Sequence, residues 1–255
     1  MSAISYAIFF LGASLEVCLL ARLLCNGLWR HYAYFFSYVL YTTVCTFFLF
    51  GILTLFPELY RDLYWGSESI GMALSFFVVW EVFRQTFPTG SILNKVLFKG
   101  FAITGFGLAI FCVSLYWSVK TYNQYHAIYP ALERSVGFVQ AVLMLGVLLM
   151  ARYYALPLGR NLWGVAIAFG AWVSITTANN ALIDWTESFR PYWSVVSRLS
   201  FIAVNAVWLW ALWNYAPNPL LDSDKMTPEA SAAELNEWAK GWNRTVSSTR
   251  RIIHP

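Results

Sequence analysis

Charged residues are scarce in this chain, and their scarcity excludes an ordinary soluble domain. Only 12% of its 255 residues are Asp, Glu, Lys or Arg, whereas 59% are hydrophobic. Soluble domains average about 25% charged and about 45–50% apolar residues, because most of a water-facing surface is built from polar and charged side chains. We therefore expect a lipid bilayer to be the solvent for most of this chain.

Proline is missing from seven long apolar stretches, although the chain contains nine prolines. One helical crossing of a bilayer core about 30 Å thick needs about 20 apolar residues, and each stretch reaches that length. Because proline inside a helix removes a hydrogen bond and kinks the helix, the pattern predicts an all-α bundle of seven straight transmembrane helices. The predicted spans are Ala3–Cys25, Tyr34–Phe56, Ser67–Phe87, Val96–Tyr116, Leu132–Leu156, Leu162–Ile183 and Trp193–Tyr215.

Histidine and deeply placed lysine are missing from these spans, which excludes several cofactor sites. His31, His126 and His254 all lie outside the spans, so the chain lacks paired axial ligands for a membrane haem and has no lysine placed to carry retinal. The four cysteines all lie within spans, and the default interpretation is free thiols. Hydrolase, metalloprotease and phosphate-loop motifs are also missing. We expect no cofactor and no bound metal, and we regard an enzyme as the less favoured class.

The distribution of Lys and Arg favours an exterior N-terminus and a cytoplasmic C-terminus. With that orientation, more Lys and Arg lie at the cytoplasmic ends and loops than at the exterior ones, in agreement with the positive-inside rule. The exterior side then collects acidic residues, namely Glu58, Asp62, Glu68, Glu133, Asp184 and Glu187. We predict a multi-pass protein of the inner cell membrane, in which residues 1–216 form the bundle. Residues 217–255 form a cytoplasmic tail with one amphipathic helix and a disordered end.

Charged residues inside the spans are the strongest functional signal, because isolated charges in hydrocarbon are costly and usually face a partner or a cavity. We predict a polar cluster in the cytoplasmic half, formed by Glu16, Arg22, Glu81, Arg84 and Arg152. One interpretation is a site for an anionic ligand or a proton-linked switch. The other is structural, in which arginine side chains reach toward the interface and the glutamates neutralise them.

A second polar group lies toward the exterior half of the sixth and seventh spans. Its members are Thr176, Thr177, Asn179, Asn180, Asp184 and Arg198, with Asn205 deeper and with Gln140, Glu133 and Arg134 of the fifth span able to join them. Hydrogen bonds between membrane helices contribute about 0.6–2 kcal/mol, so the group either holds helices together or forms a solute site open to the exterior.

Three functions from different classes remain open at this stage. The leading hypothesis is a non-enzymatic module that senses a ligand or binds a partner, as a receptor-like protein or an accessory subunit. The alternative is a transporter or channel for a small solute or lipid, which would use Glu16 and the Asn179–Asn180 region. A third is an intramembrane enzyme acting on lipids through Glu16 and Glu81.

The expected partners are the bilayer, a membrane or cytoplasmic protein, and a small molecule or lipid. Nucleic acid is excluded, because no basic surface with interleaved aromatics is present.

Overall fold

The structure, a computed structural model, describes most of the chain and leaves out one predicted span. The described residues are 3–87, 98–100, 102, 105, 125–153, 156, 158–185 and 190–216. Within these ranges the secondary structure is helical, with no strand. The predicted fourth span, Val96–Tyr116, lies almost wholly outside the described residues, and the predicted tail helix lies entirely outside them.

Six long helices make up the described chain, together with one short 3-10 turn at Leu28–Arg30. The helices are α1 (Ala3–Cys25), α2 (Ala33–Leu55), α3 (Pro57–Thr86), α4 (Tyr125–Tyr153), α5 (Arg160–Trp185) and α6 (Arg190–Ala211). The chain divides into two units. Residues 1–86 and 106–219 form the first, which contains all six helices, and residues 87–105 and 220–255 form the second.

Two helices begin seven or more residues earlier than the sequence predicts. Helix α3 begins at Pro57 rather than at Ser67, because proline is well tolerated at the first helical position and Glu58 in the first turn favours the positive end of the helix dipole. Helix α4 begins at Tyr125, so Pro130 lies inside the helix and not in a loop as predicted. The earlier start of α3 places Glu68 in mid-helix.

The six helices of the first unit pack in a ring. Each helix contacts the next one along the described chain, α6 returns to contact α1, and α3 also touches α5. Close approaches use small residues: a Cβ on Gly164 of α5 would collide with Ala211 of α6, and a Cβ on Gly137 of α4 would collide with Thr177 of α5. Small residues of this kind let membrane helices approach closely.

Many large apolar side chains of this unit are exposed, and several polar side chains are buried within its mostly apolar core. Large apolar side chains such as Phe138 and Trp210 are 62% and 67% exposed, whereas Glu16 and Asn205 are 2% and 1% exposed. Among the described helices, α1 to α5 each contain a segment long and apolar enough to cross a membrane, and α6 contains a shorter apolar segment, Val195–Ala211. The protein is therefore a helical, multi-pass membrane protein.

Candidate functional site

A cavity of about 750 Å³ lies inside the ring, lined by side chains from all six helices. Its volume falls within the range of about 300–1,000 Å³ that is typical of small-molecule sites. The lining residues come from the middle of each helix and from the half that contains the N-terminus of α1, which we call the apical half. The opposite half, which contains the C-terminus of α1, is called the basal half.

Helices α2 and α3 each present one continuous stripe of residues to the cavity. The α2 stripe consists of Tyr38, Tyr41, Thr42, Cys45, Thr46 and Leu49. The α3 stripe consists of Tyr64, Ser67, Glu68, Gly71, Met72 and Ser75. Both follow the spacing i, i+3, i+4, i+7, i+8, i+11, which places residues on one face of an α-helix. The two helices are tied together at this level, since the Tyr41 hydroxyl donates to the Ser67 carbonyl oxygen at 2.8 Å.

Three carboxylates reach the cavity from three different helices: Glu16 of α1, Glu68 of α3 and Glu133 of α4. Glu16 is only 2% exposed and accepts a hydrogen bond of 3.1 Å from the Thr46 hydroxyl. Glu68 and Glu133 lie close enough for their charges to interact. Three carboxylates in one membrane cavity are costly when they are ionised.

Helix α5 supplies polar atoms that have no hydrogen-bond partner among the described residues. They include the Thr176 hydroxyl and the Asn179 side-chain oxygen, and Asn179 is only 6% exposed. Gln140, on the same cavity wall, has its partners: its amide nitrogen donates to the Ser75 hydroxyl at 2.7 Å and to the Met72 carbonyl at 3.3 Å. Buried polar groups without partners are rare in folded proteins, so Asn179 and Thr176 mark a place where a bound molecule can supply the missing hydrogen bonds.

Arg198 of α6 is the one basic side chain among the described residues that line the cavity. It is exposed and also lines a smaller cavity of about 360 Å³. This side cavity has apolar walls that include Phe9, Phe50 and Ile202. Thr46, Leu49, Trp172, Ser197, Arg198 and Phe201 line both cavities. The main cavity is therefore bordered by a smaller and more apolar recess.

The structure does not gather the predicted cluster of Glu16, Arg22, Glu81, Arg84 and Arg152 around one site. Glu81 accepts hydrogen bonds from the backbone N–H groups of Tyr34 at 3.2 Å and Phe35 at 2.8 Å. It therefore caps the N-terminus of α2, where backbone donors lack partners within the helix. Glu16 bonds to Thr46, and Phe35 and Thr46 are about 16 Å apart along α2 at about 1.5 Å per residue. Glu16 and Glu81 thus do not form the carboxylate pair that an enzyme would need.

The arginines of that predicted cluster also have separate surroundings. Arg22 donates to the Trp213 carbonyl, and its guanidinium carbon lies 4.4 Å from the centre of the Trp213 ring. Asn26 donates to the same carbonyl at 3.0 Å, so both side chains form hydrogen bonds with the backbone just after the end of α6. Arg84 lies one turn beyond Glu81 and interacts with it electrostatically. Arg84 and Arg152 are exposed. These contacts hold the basal end of the helices together.

The predicted outer group is largely brought together. Thr176, Thr177, Asn179, Asn180, Arg198, Gln140 and Glu133 all line the cavity, and Asn180 lies beside Glu133. Asn205 is buried, and its amide donates to the Phe201 carbonyl one turn earlier on α6 at 2.9 Å. Asp184 falls in the last turn of α5, where the structure does not describe the side chains.

Sequence reasoning missed Glu68 and the tyrosines of α2 as cavity residues. Glu68 was expected at the exterior surface with the other acids. The signal was present as the two stripes, because polar residues recur at helical spacing on otherwise apolar helices. The cavity wall of α2 contains no charged residue, and for that reason a search for charges in the spans overlooked it.

Comparison of this chain with protein-family models, with curated proteins and with solved structures found no match. Within the described residues, no three His, Cys, Asp or Glu side chains lie close enough together to hold a metal ion.

Proposed function

We propose that this protein is a ligand-sensing membrane protein, with seven transmembrane helices, that binds a small molecule in the cavity between its helices. The proposal places the N-terminus outside the inner cell membrane and the C-terminus in the cytoplasm. The observation that carries it is Asn179, a residue that lines a cavity of about 750 Å³ and whose buried side-chain oxygen has no partner among the described residues. A protein that only held helices together would gain nothing from leaving this atom unpaired, since an unmet buried hydrogen bond costs about 1–3 kcal/mol.

The lining also has the composition of a binding site rather than of a packed core. Small-molecule sites combine apolar and aromatic walls with a few polar groups that fix orientation. Here Trp65, Trp172 and Phe169 supply aromatic walls, while Asn179 and Glu133 supply polar groups. The sensing role itself is inferred from the seven-span architecture and the absence of catalytic motifs in the sequence. In this proposal, a protein partner recognises the ligand-bound form of the protein.

Native mass spectrometry of protein extracted gently from its own membrane tests the proposal. We expect a small molecule retained in stoichiometric amount by the wild type and lost from Gly71→Leu. A Cβ on Gly71 meets Tyr41 at 3.8 Å and Glu68 at 3.9 Å, which are ordinary contacts, so the new side chain extends from the cavity wall without a backbone clash. Gly146→Leu is the matched control, since nothing lies within 4 Å of a Cβ there. Equal retention of the small molecule by all three proteins would show that it does not bind in the cavity. A bound protein partner with no small molecule would indicate an accessory subunit.

A second candidate, a transporter for a small solute, is favoured by the position of Glu16. This carboxyl group is 2% exposed and lines the same cavity about halfway along α1, where coupling protonation to solute movement is chemically reasonable. Uptake of the retained compound into proteoliposomes under an imposed pH gradient tests this function. Glu16→Gln should abolish pH-driven uptake, and Glu58→Gln, at the exposed start of α3, should not. Unchanged uptake in Glu16→Gln would exclude Glu16 from the transport mechanism.

A further inference from the structure

We infer that the ligand of the central cavity is an organic cation, an amine or a quaternary ammonium compound, held with its positive charge between Glu68 and Glu133. This inference rests on the proposed binding function and names the chemical class that the cavity selects. Four features of the described residues lead to it: the charge of the lining, the arrangement of two carboxylates, the unpartnered polar groups of α5, and the aromatic walls with the apolar recess beside them.

The lining carries an excess of acidic groups. Glu16, Glu68 and Glu133 are carboxylates, and Arg198 is the one basic side chain among the described lining residues. Buried charges are stable only when they are paired or hydrogen-bonded. A positively charged ligand offsets this excess, whereas an anionic ligand would add to it.

Glu68 and Glu133 define where the positive charge lies. They project from facing helices α3 and α4, which pack against each other, and they are close enough to repel each other when both are ionised. Two neighbouring carboxylates oppose each other's ionisation. A cation between them interacts favourably with both and removes the repulsion. Tyr64 lies beside Glu68, and Asn180 lies beside Glu133.

The polar groups of α5 that have no partner among the described residues include an acceptor, the Asn179 oxygen, and a donor, the Asn180 amide nitrogen. Asn179 is 6% exposed and lines the cavity one residue before Asn180. An oxygen acceptor beside carboxylates suits an N–H or O–H donor on the ligand. The Thr176 hydroxyl, also without a partner among the described residues, lies one helical turn earlier on the same wall.

Aromatic side chains favour an organic cation over a hydrated metal ion. Tyr41, Tyr64, Trp65 and Trp172 line the cavity, and the faces of tyrosine and tryptophan attract amines and quaternary ammonium groups. The apolar recess of about 360 Å³ shares Trp172 and Phe201 with the main cavity. We therefore expect affinity to rise when the ammonium group carries an apolar substituent.

Matched probes test the class directly on the full-length protein in lipid nanodiscs. Choline is compared with its neutral isostere 3,3-dimethylbutan-1-ol, and benzyltrimethylammonium with tetramethylammonium and with benzoate. Binding is followed by the shift of the thermal unfolding midpoint with probe concentration. We expect the cations alone to raise the midpoint, benzyltrimethylammonium to act at a lower concentration than tetramethylammonium, and Gly71→Leu to abolish every shift.

Charge variants test the assigned position of the cation. Glu68→Gln and Glu133→Gln keep side-chain shape, and each should weaken cation binding by about tenfold or more, because charge-assisted contacts are the stronger ones. Glu58→Gln lies outside the cavity and should bind as the wild type does. Size-exclusion profiles identify any variant that does not fold, and the two glutamine variants provide independent tests.

The outcomes separate this inference from the proposed function. Binding of the neutral alcohol or benzoate as strongly as of the cations, or full affinity in both glutamine variants, overturns the cation assignment while leaving a binding protein. A neutral or anionic molecule released from the native protein in the mass spectrometer overturns it in the same way. If no probe binds and the native protein retains no small molecule, both the inference and the binding function are wrong.

Discussion

Buried polar side chains in the first unit differ in whether each of their polar atoms has a partner among the described residues. Glu81 accepts two backbone hydrogen bonds, and the fully buried Asn161 donates to the Ala211 and Asn214 carbonyls at 3.0 Å each. Both residues satisfy helix ends, which otherwise leave backbone groups unpaired. Asn179 and Thr176 each have an atom with no partner among the described residues. In the proposed function, a bound ligand supplies the missing hydrogen bonds.

The side chain of Asn179 should therefore lower the stability of the unliganded protein while contributing to ligand binding. In Asn179→Leu the unpaired oxygen disappears, so we expect the unliganded protein to gain about 1–3 kcal/mol of stability and to lose its retained small molecule. Gln140→Leu is the paired control on the same cavity. It removes the bonds to Ser75 and Met72 and should destabilise by about 1 kcal/mol or more. Unfolding in mixed detergent–SDS micelles measures both, and destabilisation by Asn179→Leu would contradict the prediction.

Glu81 should be needed for stability and not for ligand binding. Glu81→Ala leaves the first N–H groups of α2 without their acceptor, so we expect a loss of about 1–3 kcal/mol in the free energy of unfolding. Arg84→Ala, an exposed position one turn later, should change it by less than about 0.5 kcal/mol. The same unfolding assay measures both changes. A lost ligand in a folded Glu81→Ala protein would show that Glu81 belongs to the binding site after all.

At the scale of helices, one face of each helix lines the cavity while neighbouring faces pack. Helix α5 shows this division most clearly, because Trp172, Val173 and Thr176 line the cavity while Gly164 and Gly170 approach α6 and α4. Gly170 would place a Cβ 3.1 Å from Met144 of α4. Tight packing on both sides holds the cavity wall of α5 at a fixed position, which a binding site requires.

Enlarging Gly164 should separate α5 from α6. A Cβ at this position collides with Ala211, and overpacking of this kind typically costs about 1–3 kcal/mol, so Gly164→Leu should lower the thermal unfolding midpoint and weaken ligand retention. Gly146→Leu makes the same substitution on α4 where the space is open and should leave both unchanged. Equal stability of the two variants would mean that the α5–α6 contact is not close in the membrane.

At the scale of the whole first unit, the bilayer explains a structure that water would not permit. Phe10, Leu145 and Leu149 are exposed on helices whose inner faces contain Glu16, Gln140 and Glu133. Lipid solvates the apolar exterior, while each helix satisfies its own backbone hydrogen bonds. The polar side chains of the cavity lie on the inner faces of the same helices, away from these exposed apolar side chains.

Topology reporters test the proposed orientation. With an exterior N-terminus and seven spans, green fluorescent protein fused after Pro255 should fluoresce, and alkaline phosphatase fused there should be inactive. The reverse result is expected for fusions after Phe56, which follows two spans and should be exterior. Active phosphatase at the C-terminus would contradict either the seven-span count or the orientation.

The amino-acid sequence alone determined the membrane class and most helix positions. Helix α1 has the predicted bounds, α2 differs by one residue at each end, and α5 begins two residues earlier and ends two later. Length and apolarity suffice here, because a bilayer imposes both on any crossing helix. Start signals outside the apolar core are weaker, and for this reason the early starts of α3 at Pro57 and α4 at Tyr125 were missed.

Only the tertiary structure decided which polar residues share a site. The sequence put Glu133, Gln140, Asn179 and Arg198 in one group. It put Glu16 in the basal cluster or, for a transporter, with the Asn179–Asn180 region, and it put Glu68 among the acids of the exterior side. The ring order of the helices brings Glu16, Glu68 and Glu133 to one cavity and leaves Glu81 at the start of α2. Helix order and rotation depend on close packing between faces, and hydropathy along a single chain does not contain that information.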